Sequence, residues 1–259
     1  MLADEGLKID IRRNKILEIL ARDGKVRVSN LRQLLNVSEV TIRNDLTELE
    51  KAGRLERISG GAIQTMKNYY NMDFQQRKRR KAEYKQAIGC AASDLIHDGE
   101  TLMINSGATC FYTAVELKKH KNLNIVTNSL TIAVELGEHP TFRVILLGGE
   151  INSQYSFTYG NDALTQLKKY KADKCLLSVD GVSCETGLTT YHAQEAEVNK
   201  AMMERSRKTV IVADYSKLEH ESFFNICNLS EIDYWVTNTC ADPEQLEKVR
   251  ECGIEVITC

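Results

Sequence analysis

The ten residues VSEVTIRNDL (37–46) decide the fold of the first part of the chain. Ser38 is a residue type that caps helix N-termini, because its hydroxyl accepts a hydrogen bond from a free backbone N–H group. Three apolar residues then recur at i, i+4 and i+7, the spacing of one buried helix face: Ile42, Leu46 and Leu49. The stretch therefore predicts a helix that begins after Ser38, ends near Gly53 and exposes its opposite face.

Helical patterns precede this helix, and a short hairpin pattern follows it. Apolar residues recur at helical spacing over 9–21, and Ser29 is placed to cap a second, shorter helix. Residues 54–58 alternate like a strand, and the turn sequence Ser-Gly-Gly at 59–61 allows the chain to return. Three helices and a hairpin predict an N-terminal winged helix-turn-helix domain over residues 1–64.

A capped helix of this kind can lie in the major groove of DNA, with its first turns against the base edges. Arginine can donate two hydrogen bonds to guanine and asparagine can exchange two with adenine, so Thr41, Arg43 and Asn44 are the predicted base readers. Basic and glycine residues of the hairpin would hold phosphates. The predicted DNA-binding residues are Ser38, Thr41, Arg43, Asn44, Arg54, Arg57, Gly60 and Gly61. The alternative is a three-helix interaction module with a charged face.

The charge distribution favours DNA as the partner of the first part only. The chain of 259 residues has a net charge of -2, yet residues 1–85 hold 19 Lys and Arg against 12 Asp and Glu. Residues 86–259 hold 15 against 24. A basic end on an acidic body indicates a polyanion partner for that end, and a solvated charge imbalance is the alternative. The basic run at 77–81 could contact phosphates or form a solvated helix face.

Several classes of protein are excluded by composition. No run of 18 apolar residues occurs and the chain starts with mixed charges, so we expect a cytoplasmic protein without a membrane partner. The eight cysteines show no CxxC pair, which favours reduced thiols over a disulfide framework and predicts no metal site. Glycine-rich nucleotide motifs are missing, so no cofactor is expected.

The remainder of the chain reads as a polar linker over 65–85 and an α/β domain over 86–259. Short β-rich runs alternate there with helical stretches, which is typical of a largely parallel sheet. The predicted strands lie at 101–105, 124–127, 142–147, 174–179, 209–213, 234–237 and 255–258.

Small polar clusters follow four of these strands and predict one ligand site. In an open parallel sheet the ligand crevice lies beyond the carboxyl ends of the strands. The loop at 105–109 could hold an anion at a helix N-terminus, or it could be an ordinary tight turn. Acids could accept from sugar hydroxyls and lysines could neutralise phosphate. The predicted site residues are Asn105, Ser106, Gly107, Ala108, Thr109, Thr127, Asn128, Ser129, Gly148, Gly149, Asp180, Glu195, Lys200 and Lys217.

The stretch at 37–46, its continuation to Ser59-Gly60-Gly61-Ala62 and later motifs such as Gly187-Leu188-Thr189 resemble the signature of the DeoR family of bacterial sugar-metabolism repressors. The resemblance spans nearly the whole chain. It implies a sensor domain similar in fold to ribose-phosphate isomerases and glucosamine-phosphate deaminases, and release from operator DNA by a phosphorylated sugar. It also implies phosphate held by residues 106–109 and sugar contacts from Asp180, Glu195 and Lys217.

The chain departs from the family pattern at three positions. Asn44 stands where the family commonly carries arginine, and Asn105 and Ala108 replace an aspartate and a threonine of the usual loop. The operator sequence and the effector therefore do not follow from the resemblance.

We expect a DNA-binding regulator without enzymatic activity that pairs as a homodimer or homotetramer, since one helix contacts few bases. The alternative is a sugar-phosphate isomerase or deaminase with an attached DNA-binding module.

Overall fold

The computed structural model describes residues 2–65 and 70–259, with side chains from Ile9 onward. The chain divides into two compact units, Met1–Lys81 and Ala82–Cys259. Residues 66–69 of the predicted linker lie outside the described residues. No described helix is both long enough and apolar enough to cross a membrane.

The first unit is a winged helix-turn-helix, as predicted. Its elements are α1 (Leu2–Asp23), β1 (Lys25–Arg27), α2 (Val28–Leu35), α3 (Glu39–Lys51), β2 (Glu56–Ile58), β3 (Gly61–Ile63) and α4 (Phe74–Arg79). The three strands pair antiparallel in the order β1-β3-β2. Its core consists of fully buried apolar side chains from all three predicted helices and the hairpin, among them Ile16, Leu20, Leu31, Ile42, Leu46, Leu55 and Ala62.

The start of α2 differs from the prediction. Ser29 lies inside the helix, which begins one residue earlier, and Arg27 occupies the N-cap position without a side-chain hydrogen bond. The reason is a contact distant in sequence: Arg27 pairs with Gly61 in β3, and the Val28 N–H donates to the Gly60 carbonyl at 2.9 Å. The wing therefore fixes where α2 begins.

The second unit is built on a seven-stranded parallel sheet. Its elements are α5 (Ala82–Ser93), β4 (Thr101–Ile104), α6 (Ala108–Glu116), β5 (Asn124–Thr127), α7 (Leu130–Gly137), β6 (Arg143–Leu146), β7 (Glu150–Asn152), β8 (Phe157–Tyr159), α8 (Asn161–Leu167), β9 (Ala172–Leu177), β10 (Gly181–Ser183), β11 (Gly187–Thr190), α9 (Ala193–Glu204), β12 (Ser206–Val212), β13 (Phe224–Cys227), β14 (Tyr234–Thr237), α10 (Pro243–Glu251) and β15 (Glu255–Thr258).

All seven predicted strands lie in this sheet, in the order β15-β14-β12-β9-β4-β5-β6. Every pairing is parallel, so the strand ends that follow Ile104, Thr127 and Leu177 meet at one edge. Two small antiparallel sheets, β10-β11-β13 and β7-β8, were not predicted. In the chain β7 follows β6 and β10 follows β9, so both small sheets begin at the same edge of the parallel sheet.

Candidate functional site

The N-terminus of α3 is capped as the sequence predicts. The Ser38 hydroxyl accepts from the Thr41 N–H at 3.1 Å and lies 2.9 Å from the Thr41 hydroxyl. Both predicted contact residues therefore take part in the cap, and the cap fixes the direction of the first helical turn.

Loss of this cap is expected to loosen α3 locally. In Ser38→Ala the Thr41 N–H loses its acceptor, which corresponds to about 1 kcal/mol of helix stability. Hydrogen exchange of the amides in 39–51, read by mass spectrometry, is expected to become about fivefold faster. Ser29→Ala is the matched control, since Ser29 lies inside α2, where its hydroxyl donates to Asn30 Oδ1 at 3.3 Å and caps no helix. Equal exchange in both variants would contradict the capping role.

Arg43 and Asn44 lie on the exposed side of α3. Arg43 Nη2 donates to Glu39 Oε2 at 3.1 Å, and its side chain remains 60% exposed. Asn44 is exposed in the next position. An exposed ion pair of this kind is weakly held in water. Breaking this ion pair would therefore lower the stability of the fold only slightly, so the guanidinium can bind a ligand.

The wing is attached to α3 by a side-chain network that the sequence did not reveal. Arg57 Nη1 donates to the Thr47 hydroxyl at 2.9 Å, and that hydroxyl donates to the Arg43 carbonyl at 2.8 Å. Glu50 Oε1 also accepts from the Arg57 N–H at 2.8 Å. The predicted phosphate contact Arg57 therefore sets the position of the wing relative to α3, whereas Arg54 is exposed just before β2.

The two glycines of the wing have different structural roles. Gly60 adopts φ +74°, the left-handed region that side chains rarely enter. Gly61 is buried in β3, where a Cβ atom would lie 2.0 Å from the Val26 carbonyl oxygen. The turn and the pairing of β1 with β3 both require glycine here.

Asp45 is a buried acid of α3 that sequence reasoning missed. It is 2% exposed and accepts hydrogen bonds from Arg12 Nη2 and Arg13 Nε, each at 3.1 Å. The hydrogen bond to Asp45 raises the pKa of Arg12. This carboxylate fastens α3 to α1, since a buried charge is stable only when it is paired and hydrogen-bonded. Its position within the apolar spacing of α3 was the available signal.

The second candidate site lies at the carboxyl edge of the parallel sheet. Gly107 is the N-cap of α6 and provides no side-chain cap, while Ser106 and Thr109 are buried beside it. The first backbone N–H groups of a helix attract anions. A Cβ atom on Gly107 would lie 2.0 Å from Ser178 Cβ, so the loop packs directly on the end of β9.

Asn105 is fully buried and hydrogen-bonded by protein groups. Its Nδ2 donates to the Ser178 carbonyl at 2.9 Å and to Asn199 Oδ1 at 3.1 Å. Its Oδ1 accepts from the Ser178 N–H at 2.9 Å and from Cys110 Sγ at 3.1 Å. Burial raises the pKa of the Cys110 thiol, so Cys110 remains a donor. The geometry gives Asn105 a role in joining β4, β9 and α9.

Asp180, Thr190 and Glu195 form a buried cluster near this loop. The Thr190 hydroxyl lies 2.7 Å from Glu195 Oε2 and 3.3 Å from Asp180 Oδ2. Asp180 also accepts from the Tyr191 N–H at 3.1 Å, and Lys217 Nζ lies 3.7 Å from its Oδ1. Asp180 follows Ser178 by two residues, so the acids adjoin the anion-attracting loop. Carboxylates and a lysine together can bind hydroxyl and phosphate groups.

The predicted polar residues after β5 and β6 are mostly engaged in local structure. The Thr127 hydroxyl donates to the Ile104 carbonyl at 2.6 Å, and the Ser129 hydroxyl caps α7 by accepting from the Ile132 N–H. Asn128 Nδ2 donates to the Thr158 carbonyl at 3.0 Å, and its buried Oδ1 has no hydrogen-bond partner within the described ranges 2–65 and 70–259.

The glycines after β6 support the backbone. The Gly148 N–H donates to Gln166 Oε1 at 3.1 Å. Gly149 has φ +143°, and a Cβ atom on it would lie 2.3 Å from the Tyr159 carbonyl oxygen. These contacts hold the connection between β6 and β7 against β8 and α8.

Lys200 lies away from the other predicted ligand residues. It is exposed on α9 and lines a groove with Cys227 and Asp233. Glu195 is in the first turn of α9, whereas Lys200 is more than one turn further along, toward the amino ends of the strands. The helix therefore separates Lys200 from the acids, which the sequence spacing did not show.

An aromatic contact lies beside the cluster, and sequence reasoning did not foresee the part of Tyr155 in it. The His192 ring, at the N-cap of α9, lies 4.6 Å from the Tyr155 ring and 5.1 Å from the Tyr191 ring. Tyr155 comes from the connection between β7 and β8, which was not predicted as structured.

All eight cysteines are free thiols, and no group of acids, histidines or cysteines in 2–65 and 70–259 could hold a metal ion.

Family models match both parts of the chain. A model described as a DeoR-like helix-turn-helix domain matches residues 12–67, and one described as a DeoR C terminal sensor domain matches residues 80–239. The second match alone covers more than half of the chain.

Full-length relatives and one solved structure are also similar. A putative aga operon transcriptional repressor of Escherichia coli O157:H7 is 32% identical over 95% of this chain and 92% of its own. The HTH-type transcriptional repressor GlcR of Bacillus subtilis (strain 168) is 30% identical over 93% of each chain. Ribose 5-phosphate isomerase A from Methanocaldococcus jannaschii superposes on 52% of this chain and 54% of its own, with a TM-score of 0.39 and 15% identity.

Proposed function

The chain belongs to the DeoR family of transcriptional regulators, and on that premise we propose that it represses a sugar-utilisation operon and is released from the operator by a phosphorylated sugar. One observation carries this proposal: a helix-turn-helix domain and a sensor domain of the same family occur in one chain. Operator DNA lies in the cytoplasm, so the proposal places the protein there.

The first unit is proposed to read operator DNA with α3 and to hold the backbone with the wing. Arg43 and Asn44 are the proposed base contacts, because their side chains are exposed on the helix. Ser38 and Thr41 orient the first turn, while Arg54, Arg57, Gly60 and Gly61 are proposed at the phosphates. These residues lie at the N-cap of α3, on α3, or in the segment from Arg54 to Gly61 that leads into and forms the wing.

The second unit is proposed to bind the phosphorylated sugar at the carboxyl edge of the sheet. The α6 N-terminus, with residues 106–109, would take the phosphate. Asp180 and Glu195 would accept from sugar hydroxyls, Lys217 would contact the phosphate, and Asn128 Oδ1 supplies a further acceptor. Asn105, Thr127, Ser129, Gly148 and Gly149 would shape this site from beneath, and Lys200 would lie outside it.

We also propose that the chain binds its sugar phosphate without converting it. The relatives reported above are named as transcriptional repressors, and similarity of fold does not transfer chemistry. Pairing into a homodimer or homotetramer is part of the proposal, since two half-sites double the number of base contacts.

A titration with DNA from upstream of its own gene tests this function. Fluorescence anisotropy is expected to show sequence-selective binding that weakens at the higher of two salt concentrations, because phosphate contacts release counterions. One compound of a sugar-phosphate panel is expected to release the DNA. The same compounds incubated with the protein are expected to remain unchanged by mass spectrometry. Absence of selective binding would contradict the regulator, and turnover of a sugar phosphate would favour the enzyme.

A further inference from the structure

Val40 is an apolar residue on the outer side of α3, and it is 66% exposed. The buried face of the helix is formed by Ile42, Leu46 and Leu49. At roughly 100° per residue, Val40 points almost directly away from that face. It occupies the second position of the helix, within the turn that Ser38 caps.

The hydroxyl groups of Thr41 and Thr47, which lie on the same helix, already form hydrogen bonds within the protein. The Thr41 hydroxyl lies 2.9 Å from the Ser38 hydroxyl, and the Thr47 hydroxyl is shared between the Arg43 carbonyl and Arg57. Val40 is thus the residue of the first turn that points most directly away from the buried face of α3. Asn44 follows it one turn later on the same side.

The major groove offers one apolar group to such a side chain. The C5-methyl of thymine is the apolar feature that distinguishes a base pair there. The branched side chain of valine has one strongly preferred χ1 rotamer in a helix, so little rotamer freedom is lost on contact. The flanking Arg43 can meanwhile hydrogen-bond a neighbouring base or phosphate.

We propose that Val40 packs on the methyl group of a thymine in each operator half-site and so determines sequence specificity at that base pair. This inference rests on the proposed function, because it requires α3 to enter the major groove. It adds an apolar contact to a set of readers that otherwise consists of hydrogen-bonding residues.

Replacement of thymine by deoxyuridine tests the contact, because it removes the methyl group and leaves the hydrogen-bonding pattern of the base unchanged. Each thymine of the selected operator is replaced in turn, and affinities are measured by anisotropy. Wild-type protein is expected to lose about fourfold in affinity at one thymine per half-site, the factor for burial of one methyl group. Val40→Ala is expected to bind the thymine and deoxyuridine forms equally.

Leu34→Ala is the matched control, since Leu34 is 65% exposed on α2. This variant is expected to keep the wild-type response to deoxyuridine. Wild-type binding that no deoxyuridine weakens would overturn the inference while the regulator stands. A Val40→Ala protein that keeps the wild-type response to deoxyuridine would also overturn the inference. A Val40→Ala protein whose oligomeric state, measured by light scattering, differs from wild type would do the same. Wild-type protein that selects no DNA would overturn the proposed function itself.

Discussion

Arg43→Ala is expected to remove selective operator binding while the winged helix stays folded. The side chain is 60% exposed and its protein contact is an ion pair with Glu39, so its loss removes little stability. A bidentate arginine–guanine contact discriminates by about 1 to 3 kcal/mol, so affinity should fall about 5- to 160-fold for each half-site. Anisotropy with operator and scrambled DNA measures the loss.

The matched control for this variant is Arg22→Ala. Arg22 is an exposed arginine at the end of α1 that pairs with Asp23, so its removal changes the net charge equally. It is expected to retain selectivity for the operator over scrambled DNA. Circular dichroism melting establishes that both variants are folded. Unchanged selectivity in a folded Arg43→Ala protein would exclude Arg43 as a base reader.

Gly107→Ala is expected to abolish release by the sugar phosphate while operator binding remains. The added Cβ would lie 2.0 Å from Ser178 Cβ and 2.4 Å from its Oγ. Ser178 cannot easily retreat, because Asn105 hydrogen-bonds both its N–H and its carbonyl. The loop must therefore move away from β9, and overpacking of this kind lowers stability by about 1 to 3 kcal/mol.

Two measurements separate lost ligand binding from lost folding in this variant. Thermal melting with and without the releasing compound reports ligand binding, and anisotropy reports operator binding. Gly137→Ala is the matched control, because a Cβ on Gly137 meets nothing within 4 Å. A Gly107→Ala protein that the compound still stabilises and releases would show that the loop is not part of the ligand site.

The elements that sequence predicted well are those determined by nearby residues. The cap at Ser38 and the buried face of α3 involve residues within three turns of one helix. The seven strands of the parallel sheet were found because each is a short apolar run with its own flanking signals. Such features depend little on where the rest of the chain lies.

The predictions that failed depend on residues far apart in sequence. Ser29 does not cap α2 because β3 pairs with the residues before it, more than thirty positions away. Asp45 is buried because Arg12 and Arg13 meet it from α1. The exposure of Val40, by contrast, agrees with the helical spacing of Ile42, Leu46 and Leu49, which places residue 40 on the opposite side of α3.

The side-chain amide of Asn105 links the two parts of the proposed ligand site in the second unit. It bonds Ser178 beneath the anion loop and Asn199 on α9, one helical turn after Glu195. The two halves of the proposed site thus share a single rigid support. On the proposed function, a phosphate at the loop and a sugar beside α9 would be held by this one support, so a molecule that carries both groups would bind more tightly than the two separate molecules. Inorganic phosphate and the unphosphorylated sugar, added separately, are expected to be poor inducers even in combination.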